Sequence, residues 1–304
     1  MMTFKQLEAI FWVAKLGGFS AAAVHLHTTQ SAISKRIQEL EAAFGTPLFD
    51  RTLRTARLTD KGEEMLQLAK QLLDQRNAAI EALSLPGAVR RRIRLGVTEL
   101  TAMTWLPHLV RQIQDQYPMV NIEPDVDLSM GLRDKLLADE VDVIVVPDAF
   151  QDDRFVAARV GSVASAWMCS PGMMVSKKPV AMEELARQRL LVQGEKSGTG
   201  ILYNGWFQSH GVELRNTIVS NHMVALIGMA VAGLGVSYLP LKCLSPLIDD
   251  GSLVVLKVTP ALPRVTYMAM YRREVSSPLL TAIAKAAGDC CDFSRMFQSG
   301  KPVV

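Results

Sequence analysis

The sequence predicts a chain of mixed class, α+β in its first part and α/β in its second. Three observations predict it. Residues 20–58 read as two short helices, a tight turn and a hairpin. Residues 59–84 keep one long helical pattern. From Ile93 onward, short apolar strands alternate with helices, which is the βαβ pattern of a sheet with parallel strands. A length of 304 residues leaves room for two or three domains, each with its own core.

Phe4 to Leu16 places Leu7, Ile10, Phe11 and Ala14 at helical spacing, and Gly17-Gly18 ends the helix. Ser20 suits the N-cap of a second helix and Thr29 that of a third. In the third helix Ile33, Ile37 and Leu40 fall at i, i+4 and i+7, giving one buried face. The adjoining face carries Gln30, Ser34 and Gln38, with Ser31 and Lys35 beside them. Gly45-Thr46-Pro47 breaks this helix, and the following hairpin carries Arg51, Arg54 and Arg57. A helix anchored on its apolar side, with amides and hydroxyls outward, suits insertion into the major groove of DNA. Charge agrees: residues 1–92 hold 13 Lys and Arg against 9 Asp and Glu, whereas the rest holds 20 against 21. The basic surplus lies where phosphate contacts would need it.

Leu7, Phe11, Gly18, Phe19, Ser20, Ala21, Ala22, Ala23, Leu26, Gln30, Ser31, Ala32, Ile33, Ser34, Ile37, Leu40, Glu41, Gly45, Leu48, Phe49, Arg51, Leu58, Thr59 and Gly62 together form a specific pattern of order and spacing. In these residues the segment resembles the winged helix-turn-helix of the LysR-type transcriptional regulators, a family that often has Pro where Ser31 stands. Base readout is expected from Gln30 and Ser34, because amides and hydroxyls pair with base edges. Thr29, Ser31, Lys35 and Arg36 are expected on phosphates, and Arg51, Arg54 and Arg57 on the backbone or adjacent minor groove. An alternative for Arg36 and Arg51 is an internal salt bridge to Glu39, Glu41 or Asp50.

Thr59 can cap the long helix, whose first turns hold Asp60, Glu63 and Glu64, favourable beside the positive end of the helix dipole. Leu66, Leu73 and Ile80 recur every seven residues, with Ala69 and Leu83 three beyond the first and last. That is a coiled-coil-like seam interrupted by Arg76. It can pack on its own domain, but Leu72 and Ala79 widen the stripe and favour pairing with another chain. The resemblance implies the same: this is the family's dimerisation helix. Ser84-Leu85-Pro86-Gly87 reads as a hinge, and Arg90-Arg91-Arg92 as a solvated run rather than a DNA contact. The expected divisions are residues 1–58 for DNA binding, 59–84 for dimerisation, 85–92 for the hinge and 93–304 for an effector-binding domain.

Gly96-Val97, Leu106-Pro107, Tyr117-Pro118, Asp142-Val143, Val231-Ala232-Gly233-Leu234-Gly235 and Leu239-Pro240 resemble local features of the two-lobed, periplasmic-binding-protein-like α/β sensor of LysR-type regulators. The resemblance places lobe I at about 93–163 and 267–304, and lobe II at about 164–266. In open α/β sheets, ligands bind beyond the carboxyl ends of strands and at helix N-termini. Those positions hold Thr98, Glu99, Leu100, Thr101, Ser129, Met130, Pro147 and Asp148 in the first lobe. In the second they hold Gln193, Ser197, Asn221 and His222. The resemblance puts effector contacts at Leu100, Thr101, Ser129, Gln193 and Ser197. Glu99 with Asp148 has two readings, a partner for a cationic effector group or a solvent-facing side chain. Hydroxyl-rich and carboxylate effectors suit the threonines and serines equally.

Cys169, Cys243, Cys290 and Cys291 have neither zinc-ligand nor disulfide-framework spacing. They read as free thiols in a reducing cytoplasm, with redox sensing at Cys169 or Cys243 as an alternative. No signal peptide is expected, because Lys5 and Glu8 interrupt the N-terminal apolar stretch. The 18 uncharged residues Met223–Pro240 are broken by Gly228, Gly233 and Gly235, so a buried helix followed by a strand is expected rather than a membrane span. Gly194–Gly200 (GEKSGTG) lacks phosphate-loop spacing, and no nucleophile elbow or metal cluster is visible. An α/β enzyme fused to a DNA-binding module is therefore the lesser alternative to a regulator without catalytic activity, metal or cofactor. The resemblance implies a homodimer or homotetramer on promoter DNA with dyad symmetry, a small-molecule effector, and contact with RNA polymerase.

Overall fold

The computed structural model describes residues 2–50, 56–173, 179–275 and 277–298, and it divides the chain into two units, Met1–Leu83 and Ser84–Val304. In the first unit, α1 (Phe4–Leu16) opens on a capping box in which Thr3 N–H donates to Gln6 Oε1 and Thr3 Oγ1 accepts Gln6 N–H. Helices α2 (Phe19–His25) and α3 (Gln30–Phe44) follow. Strands β1 (Phe49–Asp50) and β2 (Arg57–Leu58) pair antiparallel as the base of the wing, and α4 (Asp60–Leu83) closes the unit. Gly17 and Gly45 end α1 and α3 at φ +71° and +64°, where a residue without Cβ is unstrained. Ile33, Ile37 and Leu40 are buried as their spacing predicts, against Leu7, Ile10 and Val13 of α1.

The turn between α3 and the wing is tied down by side chains. Glu41 accepts the backbone N–H groups of Leu48 (2.8 Å) and Phe49 (3.4 Å) from within the core. Thr59 donates to Pro47 O (2.8 Å) and accepts Gly62 N–H (3.0 Å), so it both caps α4 and holds the wing entrance. Gly62 lies directly against that entrance, and a Cβ there would sit 2.0 Å from Leu48 O.

The seam predicted along α4 divides in two. Ala69 and Leu73 are buried with Met65 in the core of their own unit, and Leu66 is half-buried. Ile80 and Leu83 are 56% and 91% exposed, joined on the surface by Leu68. A strict seven-residue repeat drifts around a straight helix of 3.6 residues per turn. The ridge that packs inward is therefore Met65–Ala69–Leu73, spaced by four. Arg76 is no interruption: it ion-pairs with Glu8 (2.8 Å), and its guanidinium lies 5.1 Å from the Phe4 ring centre.

The second unit begins with β3 (Arg91–Val97), α5 (Glu99–Met103), α6 (Leu106–Gln116), β4 (Val120–Val126), α7 (Ser129–Leu137) and β5 (Val143–Pro147). Strand β6 (Phe155–Val163) then runs through Ala164 into β7 (Ser165–Cys169), the first strand of lobe II. Lobe II continues with β8 (Val180–Ala181), α8 (Met182–Leu185), β9 (Leu190–Val192), α9 (Gly198–Ser209), β10 (Thr217–Val219) and α10 (Met223–Val231). It finishes with β11 (Val236–Pro240), α11 (Ser245–Asp249), β12 (Val254–Leu256) and β13 (Val258–Thr259). Strand β14 (Val265–Arg272) returns to lobe I, where α12 (Pro278–Cys290) packs on it.

The strand order is β4-β3-β5-β14-β6 in lobe I and β10-β9-β11-β7-β12 in lobe II. The βα repeats pair in parallel, but β14 is antiparallel to β5 and β6, and β7 to β11 and β12. Both sheets are thus mixed, where strand–helix alternation alone predicts parallel ones. Strands β6 and β14 cross between the lobes in opposite directions, so they meet antiparallel. Central β5 is buried at all five positions, which explains its uninterrupted apolar run. In the arginine run, Arg92 ion-pairs with Glu123 (2.5 Å) and Arg91 donates to Ser277 Oγ, while Arg90 is exposed.

Replacing Gly62 by Ala forces Cβ into Leu48 O, and overpacking of this kind costs about 1–3 kcal/mol. Denaturant unfolding of Gly62→Ala followed by helical circular dichroism should show an earlier loss of the N-terminal unit. An unchanged midpoint would mean that the wing entrance yields freely.

Candidate functional site

Thr29 caps the recognition helix α3: its Oγ1 accepts Ala32 N–H (3.2 Å) and lies 3.0 Å from Ser31 Oγ. Gln30, the first helical residue, is exposed, and its Oε1 accepts a hydrogen bond from Ser20 Oγ (3.0 Å) at the start of α2. That bond orients the Gln30 amide. Ser31 and Lys35 are exposed, while Ser34 and Arg36 are half-buried. Among the described residues Arg36 makes no salt bridge, and two of the carboxylates considered for it have other work. Glu39 accepts from Gln6 Nε2 (3.1 Å), and Glu41 holds the wing turn. Arg57 is exposed on β2, whereas Arg51 and Arg54 lie outside the described residues.

In the second unit a cleft of about 630 Å³, partly open to solvent, lies between the lobes. Of the sequence-predicted residues, Thr98, Glu99, Leu100, Ser129, Pro147, Gln193, Ser197 and Asn221 line it. Thr101, Met130, Asp148 and His222 do not: Thr101 is fully buried inside α5, and Asp148 and His222 are exposed outside the lining. The side chains that sequence reasoning misses come from the crossing strands and β11, chiefly Val163, Ser165, Tyr238, Leu239, Val265 and Tyr267, whereas Thr199 of α9 closes the stretch that strand-end rules do point to. No local pattern marks them, because only the crossing of the lobes turns these strand faces inward. Asp127 could have been found, since it too follows the carboxyl end of β4.

The lining polar groups are held by one another. Ser197 caps α9 by accepting Gly200 N–H (3.4 Å) and donates to Gln193 Oε1 (3.0 Å). Tyr238 OH accepts Gln193 N–H (2.8 Å), and Asn221 Oδ1 accepts Gly194 N–H (3.1 Å). Burial pushes the Tyr267 phenol up to about 12, beside the hydroxyls of Thr98 and Thr199, so it stays protonated at neutral pH. Burial opposes ionisation of Asp127, but the hydrogen bond from Lys135 and the N–H of Leu128 outweigh it and hold the carboxyl below its usual range.

Glu99 lines the cleft, and its side chain is engaged with the other lobe rather than simply facing solvent. Its carboxylate accepts the N–H groups of Met223 (2.6 Å) and Val224 (3.3 Å), in the first turn of α10 on the opposite lobe. Among the described residues no lysine, arginine or histidine lines the cleft, so its walls offer the carboxylates of Glu99 and Asp127, hydroxyls, amides and apolar side chains. Among them, too, no three His, Cys, Asp or Glu side chains gather as a metal-ligand group.

A family model described as the LysR substrate binding domain matches residues 86–290, and one for bacterial regulatory helix-turn-helix proteins of the lysR family matches residues 4–63. The chain belongs to the LysR family. It is a LysR-type transcriptional regulator with an N-terminal DNA-binding domain and a C-terminal effector-binding domain. It is 25% identical over 294 residues to the HTH-type transcriptional regulator MetR of Escherichia coli strain K12, covering 96% of this chain and 92% of MetR. Its fold resembles a full-length OxyR variant from Pseudomonas aeruginosa at a TM-score of 0.70 and 22% identity, covering 99% of both chains. Full-length CbnR, solved with its target DNA, matches at a TM-score of 0.55 and 18% identity over 95% of this chain and all of CbnR. No single helix among the described residues is long and apolar enough to cross a membrane.

The thiols of this LysR-family chain are poorly suited to redox sensing. Burial pushes Cys243 and Cys290 up to about 11 and Cys291 up to about 12, and Cys169 is fully buried. A raised pKa keeps the unreactive thiol form until the pH approaches that value. Alkylation by iodoacetamide should therefore be slow at pH 7 and rise about tenfold per pH unit through pH 9. A plateau below pH 9 at any of these three cysteines would contradict the assignment.

Proposed function

We propose that this regulator reads a dyad-symmetric promoter with Gln30 and Ser34 of paired recognition helices, and that a small molecule bound between its lobes controls it. Thr29, Ser31, Lys35, Arg36, Arg51, Arg54 and Arg57 hold phosphates. The oriented amide of Gln30 and its exposure support the base contact. Exposed Ile80 and Leu83, with Leu68, support chain pairing along α4. The chain acts in the cytoplasm by binding, without turnover, and reaches RNA polymerase from the promoter.

The observation that carries the effector reading is a cleft whose polar lining comes from both lobes. Thr98 and Ser129 stand on one side, Gln193 and Ser197 on the other. A molecule touching both sides binds one lobe arrangement better than another. That difference is what shifts a conformational equilibrium.

On the DNA side, Gln30→Ala should lose about 1–3 kcal/mol of discrimination at one base position, while Lys35→Ala weakens binding to all sequences alike. Binding to a panel of site variants at fixed salt distinguishes them, and unchanged base preference in Gln30→Ala removes the assignment. On the effector side, a metabolite that raises the melting temperature of the full chain should lose that effect in Ser197→Ala. An equal shift in both proteins would put the ligand elsewhere.

A further inference from the structure

The helix α10 is capped from the wrong lobe. Its own N-cap residue, His222, provides no side-chain cap. The first two amides of the helix donate instead to Glu99, which belongs to α5 of lobe I. Away from Glu99, Met130 N–H of lobe I donates to Lys196 O of lobe II (3.2 Å). There too Gly198 packs so closely on lobe I that a Cβ would lie 2.9 Å from Ser129 Oγ and 3.0 Å from Pro147 Cβ. The lobes are thus fastened to each other at separate places around one cleft. The Glu99 contact differs from the others in kind, being a full charge on helix-terminal amides, which makes a shorter and stronger hydrogen bond than a neutral pair.

We propose that Glu99 is an interlobe latch: its grip on α10 holds the lobes together across the cleft, and release of that grip lets the lobes move relative to each other. The proposal rests on the effector reading of the cleft. It adds that the chain carries its own carboxylate at the helix terminus an anionic ligand would otherwise seek. The latch couples α5, at the end of the first strand of lobe I, to α10 beside the central strands of lobe II. Release at Glu99 should therefore loosen the Met130–Lys196 contact as well.

Residue-resolved amide hydrogen exchange on the full chain, with no small molecule added, tests this. Rates are read relative to Val143–Val146 of β5, whose amides report global opening. Glu99→Ala should speed exchange at Met223 and Val224 about tenfold or more, as expected when a charge-assisted bond is lost. It should also speed exchange at Met130, whose own N–H is bonded to Lys196 O of lobe II. Glu99→Gln, which keeps the volume and one acceptor, should fall between. Gly198→Ala, whose Cβ would press on Ser129 and Pro147 of lobe I, should speed Met223 and Val224. If Met130 is unmoved by Glu99→Ala, or α10 is unmoved by Gly198→Ala, the contacts are independent local caps and the latch is overturned. Because no ligand is used, that failure leaves the effector reading to stand or fall by the melting-temperature experiment.

Discussion

The first turn of an α-helix leaves backbone N–H groups without partners inside the helix, and both units of this chain are organised around how those groups are met. Thr29 meets them at the recognition helix, next to the residue whose amide faces outward. Thr59 meets them at α4 and uses its hydroxyl hydrogen to hold the wing entrance. Ser197 meets them at α9 while donating to Gln193 across the cleft wall. Glu99 meets them at α10 from another lobe altogether. In each case the group that completes a helix also engages a second side chain or a second segment.

This economy has an electrostatic side. A helix N-terminus carries a partial positive charge that attracts anions, and the attraction grows where water is excluded. In the cleft, two helix starts already have carboxylates against them, Glu99 at α10 and Asp127 at α7, the second also paired with Lys135. With no cationic side chain among the described lining residues, the field inside is set by these carboxylates, the protonated phenols of Tyr238 and Tyr267, and neutral hydroxyls and amides.

The DNA-binding unit was legible almost throughout. Ile33, Ile37 and Leu40 bury as their spacing says, and Thr29 and Thr59 cap as their positions say. The long helix was legible as a helix but not in its faces. Ala69 and Leu73, which a seven-residue repeat puts on a partner-facing seam, turn inward because α1 lies against that side. In the sensor, rules about strand ends found eight lining residues and also four that do not line the cleft. They found nothing on the crossing strands, where side chains face the cleft only because β6 and β14 pass between the lobes.

Glu99 shows most plainly where sequence stops. By itself the chain determined its helices, their caps, its apolar strands and the residue types available for contact, because those follow from interactions among neighbours a few positions apart. The partner of Glu99 lies 124 residues away, in a helix whose own N-cap gives no hint that a cap is missing. Which face of α4 packs, which strands cross, and which carboxylate closes which helix depend on contacts between distant segments. Those contacts exist only once the lobes have packed, so only the tertiary structure decides them.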